Sequence, residues 1–339
     1  MTARLTHAPG AAQRSAGRRR PTLGYRSLWS LGVVCLLATA SGAADYAAAY
    51  LEAGFGSRGV AMGGAFAALA DGPAAAYWNP AGLAARQGRA LAAGYQPLSL
   101  DRTLASLSGA ANLRGGLGFG LLWLHAGVDG LQARTNSGEV YGDIEDSENA
   151  ILFGLGLAPA PGLRLGATVK ILRQSIDVAQ VGESTANGRG LDLGLQYDLR
   201  EGTRLALVAR NVPNPILTPE LEWTVARPSS QTGTSRDDLA TELVAGIGHR
   251  PVTGLWLAAD GHLGGPDPYA AVGASWTATE LLSARVGLSR IGADDGMGSV
   301  SAGLSVRPMR SEALELHYAY AQDPLDDGAR LSMGLSTRF

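Results

Sequence analysis

The sequence predicts an all-β chain, an antiparallel transmembrane β-barrel of about 14 strands, and three observations predict it. From about residue 88 to the end, apolar residues alternate with small or polar ones, the period-2 signal of strands with two different faces. The segments run roughly 8 to 12 residues, the length a tilted strand needs to cross a bilayer. Their connections alternate between long and short, as they do when turns gather at one membrane surface and loops at the other. Composition agrees: 47 of 339 residues are glycine, well above the usual share of roughly 7%, and only 17% are charged. Extended segments with this much glycine need small residues on one of their faces.

In chain order, the first element is a leader over residues 1–44. Arg18, Arg19, Arg20 and Arg26 precede an apolar core over 28–40, and the small residues Ser41, Gly42, Ala43 and Ala44 follow, as in a cleaved secretory signal. The core is too short for a spanning helix. Cys35 is the chain's one cysteine and lies in that core, so the exported part has no thiol for disulfides, catalysis or metal binding. The leader also carries six arginines and no acid. Without it, 22 of the 28 basic residues remain against 30 acidic ones, a balance that excludes nucleic acid as a partner.

Residues 45–87 follow, and the barrel occupies 88–339. Strands are expected to start near 88, 102, 116, 148, 162, 188, 203, 240, 254, 267, 280, 296, 312 and 328. In the fifth, Leu163, Leu165, Ala167, Val169 and Ile171 share one face; Arg164, Gly166, Thr168 and Lys170 share the other. The last sets Leu331, Met333, Leu335, Thr337 and Phe339 against Arg330, Ser332, Gly334, Ser336 and Arg338. Long loops are expected at 126–147, 175–187 and 213–239, and tight turns at 159–161, 201–202 and 251–253. Tyr95, Trp123, Tyr197, Tyr318, Tyr320 and Phe339 fall toward strand ends, where amphipathic rings sit at a bilayer interface. A soluble barrel with its leucines inward would show the same alternation. The export signal, strand number, alternating connections and terminal Phe339 favour the membrane.

The string GSRGVAMGGAFAALADGPAAAYWNPAGLA, from Gly56, resembles the N-terminal segment of FadL-like outer-membrane proteins, above all the branch containing PorV and PorQ. Arg58, Met62 to Phe66, Ala70, Asp71 and Trp78-Asn79-Pro80-Ala81-Gly82-Leu83 carry the resemblance. The final HYAYAQDPLDDGARLSMGLSTRF resembles the family's last hairpin, with a terminal Phe339 of the kind the barrel-assembly machinery reads. The resemblance implies a 14-stranded barrel in the outer membrane whose N-terminal segment, residues 45–87, folds inward as a hatch. Arg58, Asp71, Trp78, Asn79, Pro80, Ala81 and Gly82 would belong to that hatch. Better-known members pass fatty acids and hydrocarbons; the PorV-like branch serves protein export and handles secretion-system partners or cargo. The branch match makes a non-enzymatic export component the first expectation, with a passive channel for hydrophobic small molecules as the alternative.

The residues themselves add local expectations. Asp71 before Gly72 and Pro73 suits the N-cap of a short helix, and Asn79 before Pro80 is biased out of the helical region. GFGSRG has the G-x-G-x-x-G spacing at Gly54, Gly56 and Gly59, but no βαβ alternation surrounds it, so no dinucleotide is expected. His125, His249, His262 and His317 show no metal-ligand spacing, and no G-x-S-x-G elbow occurs; an outer-membrane lipid hydrolase stays open with no residues nominated. No cofactor or metal is implied. Asp143, Glu145, Asp146 and Glu148 read as one acidic external loop, and Asp294, Asp295, Asp326 and Asp327 as turn acids. The 213–239 loop with Trp223 reads as solvated or as a binding loop. If the leucines face lipid, Lys170, Asp192, Gln196, Asp198, Arg285, Glu315 and His317 line a polar lumen.

Overall fold

Alternation from residue 88 onward builds a closed sheet. The computed structural model describes residues 47–85, 88–113, 115–226, 232–265, 268–293, 298–308, 314–322 and 328–339. The expected leader and Asp294, Asp295, Asp326 and Asp327 lie outside the described residues. The strands are β1 (Gly88–Pro97), β2 (Arg102–Leu113), β3 (Leu117–Arg134), β4 (Val140–Ala160), β5 (Leu163–Val178), β6 (Gly182–Arg200), β7 (Thr203–Arg210), β8 (Glu220–Ala226), β9 (Thr232–Asp238), β10 (Glu242–Val252), β11 (Leu255–Gly264), β12 (Tyr269–Thr277), β13 (Leu282–Ile291), β14 (Ser299–Val306), β15 (Leu314–Gln322) and β16 (Ala329–Arg338).

Each of β1 to β6 pairs antiparallel with the next; β7 then pairs with β10, and β10 to β16 continue in sequence. The first and last strands join, Ala90 opposite Arg338 and Tyr95 opposite Met333, which closes a barrel of 14 strands. The seam is completed by Phe339, whose N–H donates to the Arg89 carbonyl at 3.0 Å while Arg89 N–H donates back at 3.1 Å. Closure pairs the wall's backbone groups from strand to strand, as a hydrocarbon surround demands.

The side chains settle which face points where. Leu107, Phe153, Ile171 and Val286 lie on the outer face and are 51 to 56% exposed, while their neighbours at odd offsets point into the lumen and are buried or small. An apolar surface wrapped around a whole barrel is the lipid-facing band of a transmembrane protein. Tyr95, Trp123, Tyr197, Tyr318, Tyr320 and Phe339 are also on the outside.

Two expected long loops prove to be strand. β3 to β6 have 18, 21, 16 and 19 residues, against 8 to 11 for β10 to β16. Residues 126–134 and 140–148 pair as the outer part of β3 and β4, and 175–178 with 182–185 as that of β5 and β6. The acids expected in a loop therefore sit on β4. The reason is visible on the outward rows: Trp123, Ile151 and Ile171 stand in register, and the next row outward holds His125, Asn149 and Arg173. Above that level the outer face meets water, so the large-and-small alternation stops while backbone pairing goes on. The expected 213–239 loop likewise contains a hairpin, β8 and β9, which extends the wall from β6 where β7 ends. Leu221 is fully buried, and Trp223 packs against the interior cluster.

Candidate functional site

The lumen is occupied by the chain's own N-terminal part. Residues 47–85 form short turns of helix, α1 (Ser57–Ala61) and α2 (Ala75–Trp78), with 3-10 turns at Ala49–Leu51, Gly72–Ala74 and Pro80–Ala84. Met62, Ala65, Phe66, Ala68, Ala70, Ala75, Ala76, Asn79 and Ala81 are almost entirely buried.

Trp78 organises this segment. Its indole N–H donates to the Phe55 carbonyl at 2.8 Å, and its ring meets Tyr77 and Phe66 edge-on at 5.0 and 6.0 Å. Phe55 closes the cluster against Tyr77 at 5.9 Å. Gly54, Gly59 and Gly64 are the surface on which the indole rests; a Cβ at Gly59 would stand 2.5 Å from the ring. Two glycines of the G-x-G-x-x-G string, Gly54 and Gly59, thus seat the tryptophan. Burial pushes the Tyr77 phenol up to about 12, so it stays a neutral donor, and it bonds the Leu51 carbonyl.

Asn79 is the hub between segment and wall. Its backbone is extended, φ −164° and ψ 107°, as its place before Pro80 predicts. Its carbonyl oxygen Oδ1 accepts from Ala81 N–H at 3.1 Å, and its amide Nδ2 donates to the carbonyls of Ala67 at 3.0 Å and of Leu195 on β6 at 3.1 Å. Pro80, Ala81 and Gly82 then lie along a trough. Gly118, Gly156, Gly166 and Gly194 stand in one cross-strand row over β3 to β6; side chains at the first three would strike the backbone of 80–84, and one at Gly194 the Asn79 amide and the Pro80 ring. A Cβ at Gly154, one position along, would sit 2.5 Å from Leu83. Gly82 in turn presses against the Ala70 carbonyl. Glycine in a strand marks close approach of another backbone, which accounts for much of the glycine excess.

The expected cap at Asp71 takes a different form. A short helix does begin at Gly72, but the Asp71 side chain does not cap it; it pairs with Arg58 at 2.6 Å. A charged partner within reach outcompetes backbone N–H groups for the carboxylate. Burial lowers the Arg58 pKa and Asp71 more than reverses this, leaving it raised. Arg58 also lies over the Phe66 ring at 5.2 Å.

Wall residues that no motif nominated hold the segment as well. Asp260 on β11 accepts from Phe66 and Ala67 N–H, both at 2.8 Å. Gln196 donates to Ala67 and Ala70 carbonyls, Thr168 to Ala76, Asn112 to Leu83 and Ser301 to Ala61. Paired inward glycines, such as Gly246 with Gly248 and Gly154 with Gly156, were the sequence signal for this face.

The other inward candidates fall into ion pairs. Lys170 meets Asp192 at 2.8 Å; Asp198 takes Arg164 at 2.9 Å and Arg204 at 2.6 Å; Glu315 lies 3.4 Å from Arg307. Arg285 donates to Ser305, and His317 bridges Ser305 and Ser336 at 2.8 Å each. His262 is hydrogen-bonded to Glu242, which Arg210 also holds. His249 bonds Thr203, and His125 stacks on Trp123 outside.

The aromatic cluster divides the lumen. On the side of the long hairpins lies a cavity of about 560 Å³ that Tyr50, Tyr77, Trp78, Leu98, Val128 and Leu152 help to line. On the tight-turn side lies a second, of about 430 Å³, between Phe55, Pro73 and Leu83 of the segment and the inner faces of β1, β2 and β16. Arg58 and Asp71 border the second.

No protein-family model matches the chain, and no curated protein matches it by sequence. Solved structures do. The chain is similar to the toluene transporter TbuX of Ralstonia pickettii, with TM-score 0.59 and 17% identity over 85% of this chain and 99% of that one. It is similar to the toluene transporter TodX of P. putida, with TM-score 0.61 and 14% identity over 85% and 99%. A FadL homologue of Pseudomonas aeruginosa gives TM-score 0.57 and 14% identity over 83% and 96%. At such identities the likeness is one of fold, that of the FadL-like barrels.

Proposed function

We propose that the chain is a FadL-like channel of a Gram-negative outer membrane, passing small hydrophobic molecules by diffusion, with residues 47–85 as its hatch. The observation that carries this reading is a lumen with a cavity on each side of one internal aromatic cluster, in a barrel whose fold is shared with two toluene transporters. The chain's own residues supply binding and gating, and no bond is made or broken. Asn79, Asp260 and the glycine trough hold the segment in place; movement of Phe55, Tyr77 and Trp78 would join the two cavities.

The export reading drawn from the PorV-like branch has less support, since the structures described above are of transporters and of a FadL homologue. The test uses cells whose outer membrane carries the chain, with uptake of the neutral dye N-phenyl-1-naphthylamine followed by fluorescence. Faster uptake than in cells without the protein is expected. An unchanged rate, together with an exported protein co-purifying with the barrel, would return the export reading to first place.

A further inference from the structure

Passage through a channel needs no chemistry, yet the wall of the tight-turn cavity holds a group of side chains that passage does not use. His317 on β15 stands directly opposite Ser305 on β14 and Gly334 on β16. Its Nε2 lies 2.8 Å from the Oγ of Ser336, the next inward residue after Gly334, and its Nδ1 lies 2.8 Å from Ser305 Oγ. Arg285 donates to Ser305 at 2.5 Å, and Glu315 Oε1 is 3.9 Å from Nδ1. His317 and Ser336 are only partly buried, and both line the cavity of about 430 Å³ together with Phe55, Pro73 and Leu83. The two residues are 19 positions apart on neighbouring strands, so no local motif announces them.

With Nδ1–H turned to Ser305 and the Glu315 carboxylate, Nε2 presents its lone pair to the Ser336 hydroxyl, the tautomer in which a histidine removes a serine proton. A nucleophile in reach of a base, a base oriented by further groups and a cavity in front of the pair are the parts of an acyl-transfer site. Arg58 adds a fourth: it borders the same cavity and lies within electrostatic reach of His317, where a cation stabilises the oxyanion formed by attack on a carbonyl. We propose that Ser336 and His317 are a nucleophile and base that cleave small uncharged hydrophobic esters. Ser336 Oγ attacks the carbonyl carbon while its proton passes to His317 Nε2; the C–O bond to the alcohol then breaks, the alcohol oxygen takes that proton, and the acyl group stays on Ser336. Water, giving a proton to His317, attacks the same carbonyl and releases the acid as the serine regains its hydrogen. One ester and one water thus give one acid and one alcohol, with no other reactant. The inference is independent of the channel reading, since it requires only that an ester reach the tight-turn cavity.

The test treats the purified full-length barrel in detergent with phenylmethanesulfonyl fluoride, which puts a sulfonyl group on an activated serine oxygen and releases hydrogen fluoride, and maps the adduct by mass spectrometry. An adduct on Ser336 is expected. Untreated protein should release p-nitrophenolate from p-nitrophenyl butyrate, and the adduct should abolish that release. In a folded His317→Gln variant both labelling and ester cleavage should slow about a hundred-fold. Wild-type protein with no adduct on Ser336, or with other serines labelled and Ser336 spared, would overturn the inference without any variant having to fold. Labelling without ester cleavage would overturn it as well. An unchanged labelling rate in folded His317→Gln would remove the base, and the pair with it.

Discussion

Two stretches of the inner wall treat the N-terminal segment in opposite ways. Over β3 to β6 the wall is cut back to glycine so that the backbone of 79–84 can lie against it; Asn79 bonds the Leu195 carbonyl there, and Thr168 and Gln196 hold the neighbouring Ala76 and Ala70 carbonyls. Over β1, β2 and β16 the inward residues are also small, Ala90, Ala92, Ser106, Ser108 and Ser336, yet they face a cavity of about 430 Å³. Small side chains on a lumen face thus serve two purposes: they admit backbone, or they leave room. Composition alone reads the same in both places, and at the level of residues 79–84 only the second region leaves open space beside the segment.

The severest way to break this contrast is to remove residues 54–84. The barrel should still insert, because its ladder of paired strands closes without the segment, and single channels in planar bilayers should change from closed to steadily conducting. An unchanged conductance would remove the segment's role as a hatch. The next change separates the two walls directly. Gly154→Leu thrusts a side chain into Leu83 and should cost about 1 to 3 kcal/mol in guanidinium unfolding or displace the segment. Ala92→Leu, facing the open cavity, should cost less than about 1 kcal/mol and slow dye uptake.

Asn79→Ala tests the hub. It strips partners from Ala81 N–H and from the Leu195 carbonyl, each left with a cost of about 1 kcal/mol or more where buried, while the Ala67 carbonyl keeps Gln196. Loosening should appear as flickering conductance and faster proteolysis of 54–84, with the barrel itself still resistant. Asp71→Asn should do least: the side chains are 25% and 11% exposed, but the new amide oxygen can still accept from Arg58, so what is lost is the charge assistance of one hydrogen bond, about 1 kcal/mol. A small fall in midpoint with normal uptake is expected there.

Much of this fold is written in the sequence as alternation. The fourteen wall strands begin within a few residues of where leucine and glycine start to alternate, except β4 and β6, which begin earlier. Those exceptions share one cause. Hydrophobic periodicity reports the membrane, so it stops at Ile151 and Ile171 although the strands do not. The β8 and β9 hairpin escaped notice similarly, since TGTSRDD carries no apolar face. In the site, Trp78, Asn79 and Pro80 were recognisable because one local motif contains them. Asp260 was not, and Gln196 was placed in the lumen by alternation without its partner, because a residue that bonds a backbone more than 100 positions away leaves no trace of that bond in its own neighbourhood. Likewise, nothing local to Asp71 told a cap from an ion pair, since Arg58 approaches through the fold.

The seam between β1 and β16 bears on how such a barrel can be made. Most wall pairs join strands adjacent in the chain, whose closure involves a short loop, but this one brings Arg89 to Phe339, the longest loop the barrel has to close. Entropy therefore places it late among the wall's contacts. The segment that fills the lumen precedes β1 directly and touches both β5 and β15. A finished cylinder with both of its ends already zipped would offer that segment no side entrance. The interior is best furnished while the wall is still an open sheet, and the final residue then acts as the clasp on a container already packed.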